Sequence, residues 1–327
     1  MLSRRTMGAA LAAAAGLLLG TPAGAQTFPT RPVTIIVPFA AGGPSDAIAR
    51  LLGQSMSVSL GQPFVIENVA GAGGTTGAAR LAKADPDGHT LLIHHIALVA
   101  GAYLYRNLPY ETSELETVGL VNFGPMVLAT RKDYPASTPA ELLARLRTDG
   151  TRTTFAHAGI GSNAHLCGLL LQQALGIKLT EVAYRGTGPA MNDLMGGQVD
   201  TMFDQSTTAV PQLQAGTVKG FAVTSPKRLA ILPELPTMKE AGLGDVEFVL
   251  WHGLYAPHGT PAPTIAKLNG ALRIALKDAT IRERFAGFGT ELYPEGEWSP
   301  AAHRARFDRE LATWREVIAK SGVSVGN

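Results

Sequence analysis

Apolar and polar positions along the chain group into short apolar runs followed by longer segments of helical period. Residues 33–37 (Val-Thr-Ile-Ile-Val) form a β-branched run that reads as a buried strand. Pro38 and Gly42-Gly43-Pro44 break it, and Ser45 or Asp46 can then cap a helix carrying Ile48, Leu51 and Leu52 on one face. Residues 64–66 and 90–93 are two further strands. Between them a Gly-rich stretch, 71–77, leads into a helical segment over 78–84, and Asp85-Pro86-Asp87-Gly88 reads as a turn.

The pattern then restarts. Thr138-Pro139-Ala140-Glu141 is a capping box with proline at the first helical position, opening a helix through Leu142 and Leu146. Strands are predicted at 153–155, 179–183, 199–203 and 220–223, with helices at 163–175, through Leu194, and at 211–215. Gly176 suits the end of the first of these helices. A further strand covers 248–255. Ile265, Leu268, Leu272, Ala275 and Leu276 line one face of a helix, and Trp314, Val317 and Ile318 anchor a terminal one. Strands alternating with helices predict an α/β chain of mostly parallel sheets flanked by helices. With no Ser/Gly-rich linker, two such units predict two lobes joined by crossing strands. Residues 26–122 plus about 250–293 are assigned to lobe 1 and 123–249 to lobe 2. Residues 294–327 form a C-terminal helical segment whose lobe the sequence leaves open.

Residues 1–25 read as an export signal that is removed. Arg4 and Arg5 precede a dozen apolar residues and the small-residue site Ala23-Gly24-Ala25. The Arg-Arg pair fits a twin-arginine signal and an ordinary secretory one alike, so the route stays open. The apolar run is too short for a bilayer core, which needs roughly 20 residues. The whole chain of 327 residues carries 28 Lys and Arg against 26 Asp and Glu. Without Arg4 and Arg5 the formal charge is zero, which disfavours charge-driven nucleic-acid binding. Cys167 is the single cysteine, so neither an internal disulfide nor a Cys-rich zinc site is available.

Three Gly-rich loops, 39–46, 71–77 and 159–163, each precede a helix. Helix N-termini present unpaired N–H groups and partial positive charge, so several aimed at one cleft would hold a carboxylate without a cluster of Arg or Lys. Named chemistry does poorly by comparison. Gly71-x-Gly73 has Thr76 where a dinucleotide fingerprint needs glycine, there is no P-loop, and Gly161-Ser162-Asn163 is not a nucleophile elbow. His94 and His95 are neighbours on a strand, where side chains alternate between faces and so would not share a metal. His157 and His165 lack a metalloprotease frame. Asp200 and Asp204, four apart around a strand, fit either a carboxylate pair or loop and ligand contacts. No cofactor or metal is expected.

The whole of the mature chain resembles the Bug-type solute-binding proteins, the receptors of tripartite tricarboxylate transporters. The matching residues are Phe28-Pro29-Thr30-Arg31-Pro32, Val37-Pro38-Phe39-Ala40-Ala41-Gly42-Gly43, Glu67-Asn68 with Gly71-Ala72-Gly73-Gly74, and Asp85-Pro86-Asp87-Gly88-His89-Thr90-Leu91. Leu108-Pro109-Tyr110, Tyr184-Arg185-Gly186-Thr187-Gly188-Pro189-Ala190, Gly197-Gln198-Val199-Asp200, Leu235-Pro236-Thr237 and Trp251-His252-Gly253-Leu254 continue the series. Each is weak alone; their order and coverage are specific.

The resemblance implies a periplasmic receptor of Venus-flytrap shape that catches a small carboxylate between two lobes and delivers it, as a monomer, to a membrane permease. It places ligand contacts at Phe39, Ala41, Gly42, Gly43 and Ser45 of lobe 1, and at Gly161, Ser162, Asn163, His165, Arg185, Gly186, Thr187 and Asp204 of lobe 2. Two departures bear on specificity. His94-His95-Ile96 stands where the family has small hydroxyl or amide residues, and Gly161-Ser162-Asn163-Ala164-His165 replaces Gly-Thr-Pro-Ser-His. Both imidazoles are therefore candidate ligand contacts, cationic or hydrogen-bonding. The competing readings are an exported hydrolase or lyase using the same cleft, which lacks a nucleophile with an adjacent base, and a sensor feeding a membrane regulator.

Overall fold

A computed structural model describes residues 28–321, so the proposed export signal lies outside the described residues. The first unit runs β1 (Val33–Val37), α1 (Pro44–Leu60), β2 (Phe64–Asn68), α2 (Thr75–Ala82), β3 (Thr90–His95) and α3 (Ala97–Leu104). Strands β2-β1-β3 lie parallel, with Thr34 opposite Val65 on one side and Thr90 on the other. Ile35, Ile36 and Val37 are fully buried, which is why β1 is a continuous apolar run rather than an alternating one. On α1, Ile48, Leu52 and Met56 recur every four residues and are sealed against that sheet. Helix α1 starts one residue before the predicted cap. Pro44 fits the first helical position because its missing N–H would have no intrahelical partner there, which puts Ser45 and Asp46 inside the first turn.

Strand β4 (Leu115–Arg131) joins the two lobes. Its first part pairs antiparallel with β9 (Val249–Pro257), which closes the first lobe's sheet by pairing with β3; its last part pairs with β7 (Thr201–Gln205) and β8 (Val218–Val223) of the second. In the second lobe β5 (Thr154–His157) lies parallel to both β6 (Thr180–Ala183) and β7. Helices α4 (Pro139–Asp149), α5 (Asn163–Leu175), α6 (Thr187–Met195) and α7 (Ser206–Gln214) belong to this lobe. Helix α7 begins five residues earlier than its sequence suggests and keeps Pro211 inside it. The chain crosses between lobes again after β8. Thr224 N–H donates to the Met126 carbonyl at 2.9 Å, and Met126 N–H to the Thr224 hydroxyl at 2.8 Å, so the two crossings are clamped together.

The chain ends with α8 (Ala262–Lys277), α9 (Ala279–Gly287), the short β10 (Glu291–Leu292) and α10 (Pro300–Ser321). Helix α10 lies on β9 and β4: the His303 ring packs 4.6 Å from Tyr255 and 5.6 Å from Trp251, and Trp314 packs on Phe248 at 5.7 Å. A Cβ at Gly253 would sit 2.3 Å from the His303 ring, so that glycine is required by the close approach. Among the described residues no helix is long and apolar enough to cross a membrane.

Candidate functional site

The carboxyl ends of β1, β3, β5, β6 and β7 face one another across the gap between the lobes, where ligands bind in open α/β sheets. The loop after β1 is fixed from behind. Buried Asp46 accepts from Gly42 N–H at 3.1 Å, from Asn68 Nδ2 at 3.0 Å and from Arg50 at 3.0 Å through each oxygen. Burial alone would raise its pKa, but these hydrogen bonds outweigh it and hold the carboxyl below its usual range. Asn68 also donates to the Phe39 carbonyl at 3.0 Å. The Arg50 charge is thus spent on the scaffold.

The loop after β5 is held in the same manner. Ser162 caps α5, its hydroxyl accepting from His165 N–H at 3.3 Å. His165 Nδ1 accepts from Gly161 N–H at 3.2 Å, which puts its ring proton on Nε2, 3.7 Å from Glu181. The neighbouring His165 ring is the main reason the Glu181 carboxyl is held down to about 2. His165 therefore sits behind the loop and shapes it. Neighbouring His157, its ring 4.9 Å away, is buried and its pKa is lowered to about 4 by desolvation.

The lobes touch directly. Ala40 N–H donates to the Arg185 carbonyl at 3.0 Å, while the Arg185 side chain is exposed. Tyr105 of the first lobe places its hydroxyl 2.9 Å from the Ala72 carbonyl and 2.6 Å from that of Ile160 in the second. Between these contacts lies a cavity of about 20 Å³, room for roughly one water. Seven of the residues proposed as ligand contacts, Phe39, Gly43, Ser45, His95, Ser162, Asn163 and Thr187, line it. Ala41 and Gly42 stand exposed beside it; Gly161, Gly186, His94 and Asp204 are buried but do not line it. Gln205, Met126, Ala158 and Asp46, with Ala40, Pro44 and Ala164, line it without having been proposed as ligand contacts. Gln205 had a signal, a polar residue next to Asp204 at the end of an apolar run; Met126 and Ala158 had none.

The cavity is rich in donors, and its one charged lining side chain is the Asp46 carboxylate, already paired with Arg50. No lysine or arginine lines it. No side chain caps α1 or α6, so Ser45 and Asp46 N–H on α1 and Thr187 and Gly188 N–H on α6 have no capping side-chain acceptor; on α5 the Ser162 hydroxyl accepts from His165 N–H. Both amide atoms of Asn163 and the Gln205 carbonyl oxygen are buried without a hydrogen-bond partner, marking them for something held in the cleft. Ser45 Oγ lies 3.2 Å from His252 Nε2. The rings of His94 and His95 lie 5.0 Å apart, closer than strand alternation implies, because the chain leaves β3 and turns into α3 at Ile96. Burial lowers the pKa of His94 to about 3 and moves that of His95 the same way, so neither supplies a cation at neutral pH. Asp204 is sealed beneath Thr187. Burial pushes its carboxyl up to about 6 against hydrogen bonds from Thr208, Thr187 and Gln205 N–H. Asp200 is committed elsewhere, to Arg131 at 2.9 Å and to Thr154 through both its N–H and hydroxyl, so the two aspartates form no pair. Among the described residues no group of His, Cys, Asp or Glu is placed to hold a metal.

Two α/β lobes sharing crossing strands, with a donor-lined site between them, define a periplasmic solute-binding protein. Residues 48–323 match the tripartite tricarboxylate transporter family receptor. The chain is 48% identical over 298 residues to a UPF0065 protein of the TAR-I ttuE-ttuC' intergenic region of Agrobacterium vitis, covering 91% of this chain and 86% of that one. It is 33% identical over 310 residues to BugT of Bordetella pertussis, covering 94% of each. Among solved structures it resembles the periplasmic binding protein BugD (43% identity, TM-score 0.88, 91% of this chain and 99% of that one). It also resembles MatC of Rhodopseudomonas palustris with bound malate (39%, 0.85, 89% and 100%). A third, from R. palustris with adipate, is 31% identical at a TM-score of 0.85, covering 91% and 99%. The chain belongs to the tripartite tricarboxylate transporter receptor family, a class of solute-binding receptors rather than enzymes.

Proposed function

We propose that the protein captures a small organic acid between its lobes in the periplasm and hands the closed complex to the membrane subunits of a tripartite tricarboxylate-type transporter. The observation that carries this is the interlobe cavity, lined by helix N-termini, orphaned amides and hydroxyls, by no cationic side chain, and by one carboxylate, Asp46, whose charge Arg50 already neutralises. An anion is held there by N–H groups and helix dipoles, whose partial charges need no counterion of their own. The malate and adipate in two relatives of the same fold support a di- or hydroxydicarboxylate as the class. Binding is assigned to the seven lining residues above, with Gly161, Gly186 and Asp204 supporting the loops and Arg185 contributing its backbone. The lobes are assigned as residues 26–122 plus about 250–293 and 123–249, the receptor acts as a monomer, and residues 1–25 direct export.

The test is a thermal-shift screen of mature protein refolded to strip retained ligand, against mono-, di- and tricarboxylates, amino acids and neutral controls. A ligand at 100 times its Kd adds about 2.7 kcal/mol, several degrees for a chain of this size. A large shift from one carboxylate subset, with the acid recovered unchanged, is the expected result. No shift from any acid, or consumption of one, would overturn the reading; consumption would favour the hydrolase or lyase.

A further inference from the structure

His95 occupies the cavity floor in a way that its neighbour does not. Its Nδ1 accepts from Ala97 N–H at 3.2 Å, so the neutral ring carries its proton on Nε2. Among the described residues that Nε2 has no hydrogen-bond partner, and the ring, 3% exposed, lines the cavity. The ring is also clamped. Phe39 stacks on it at 5.0 Å and 17°, while His94 at 5.0 Å and His252 at 5.5 Å meet it at near right angles. His94 is turned the other way: its Nδ1 accepts from His95 N–H at 2.8 Å, and its Nε2 lies where a Cβ on Gly74 would come within 2.7 Å. One imidazole thus faces the ligand space and the other packs beneath α2.

The floor position matters because so little space remains above it. Only about 20 Å³ remains here between His95 and the Asn163 and Gln205 amides opposite, less than a diacid fills, so the lobes stand further apart around an acid, and the bulk of a clamped five-membered ring decides how long an acid they can close upon. A side chain free to rotate would yield; this one is boxed by three other rings.

We propose that His95 is the length gauge of the site: its Nε2–H hydrogen-bonds the far end of the bound acid, and its ring sets the longest acid over which the lobes can close. This rests on the carboxylate reading above and specifies it further. The donor is uncharged, so it serves a carboxylate, carboxylic acid or hydroxyl terminus alike, and selection is by reach.

Two substitutions separate the gauge from a packing role. His95→Asn keeps an acceptor for Ala97 N–H but ends short of the Nε2 position. His95→Gln reaches that position with an amide donor. Titration calorimetry would follow the unbranched diacids from malonate to pimelate against refolded, ligand-stripped wild type and both variants, with urea midpoints alongside. The expected result is that His95→Asn loses about tenfold in affinity for the acid wild type prefers, and that its preferred acid is at least one methylene longer. His95→Gln keeps the wild-type order. An unchanged order in a folded His95→Asn, or an order shifted in His95→Gln, would overturn the gauge while leaving the carboxylate reading intact. Should His95→Asn fail to fold, the order kept or lost in His95→Gln decides alone. Absence of any diacid binding by wild type would remove both.

Discussion

Asp204 shows how a single residue couples this site to stability. Its carboxyl is fully buried with no cation beside it, and its pKa rises from the ordinary 3.8 to about 6. Between those values the folded chain keeps a proton that the unfolded chain has released. This residue's contribution is therefore complete below about pH 4 and lost as pH rises through 6, a swing of about 3 kcal/mol. The buried histidines act in the opposite sense. His94, His252 and His303 are held down to about 3 and His157 to about 4, chiefly by desolvation, so the unfolded chain takes up protons first and stability falls as pH drops below 6.5. Wild type should lose stability in acid. Asp204→Asn, which cannot ionise, should be more stable than wild type at pH 7 by up to that amount, with the gap closing towards pH 4. Urea midpoints at pH 4, 5, 6 and 7 check this; parallel profiles for the two proteins would contradict it.

At the scale of elements, the lobes meet through the start of α6 and the loop after β1. A Cβ on Gly188 would come within 2.7 Å of the Ala41 carbonyl oxygen, 2.9 Å of the Gly42 carbonyl carbon and 3.0 Å of Gly43 N, all of them backbone in the opposite lobe. Gly188→Ala should leave the separate lobes as stable as before or better, since alanine improves a helix by roughly 0.8–1 kcal/mol over glycine. It should nevertheless weaken acid binding by about tenfold or more, because closure then costs a backbone displacement. Calorimetry paired with thermal melting separates the two effects, and equal binding with equal melting would show that closure does not need this contact. The glycine-rich loops and several helix ends were legible because each is a local device: Thr138 capping α4 ahead of Pro139, Asn163 starting α5 after a glycine loop, Gly176 ending it at φ 64°; the start of α1 was not, since Pro44 read as a breaker and Ser45 or Asp46 as the cap. Strand β4 was not legible. Its seventeen residues are buried on both faces and so show no alternation, and Gly119, Gly124 and Pro125 punctuate them like a loop. Pro211 misled for the related reason that a helix can carry an interior proline when its sheet and neighbours hold it. Of the site, the residues on loops entering helices were readable, whereas Met126 and Ala158 reach the cavity only through the meeting of two lobes. The direction of His165 follows from its place one helical turn after Gly161, a spacing visible in the chain but meaningful only once the loop's N–H needed an acceptor.

For the whole molecule, the two crossings clamped by Met126 and Thr224 leave the lobes a narrow connection, while Ala40, Tyr105, Gly186 and Gly188 give them a closed position with specific contacts. A ligand favours that closed arrangement only by the interactions it gains there and lacks in an open one. The N-terminal ends of α1 and α6, which face each other across the cleft, supply such interactions when one acid bridges them. On this view the grip is made by neutral donors from both lobes. A crystal structure of the protein with the acid that gives the largest thermal shift tests it most directly. The predicted result is carboxylate oxygens at about 2.7–3.2 Å from backbone N–H groups in the first turns of α1 and α5 or α6, with His95 at the far end and no lysine or arginine side chain in contact. An acid held by the Arg185 guanidinium, or bound within one lobe with the cleft open, would contradict it.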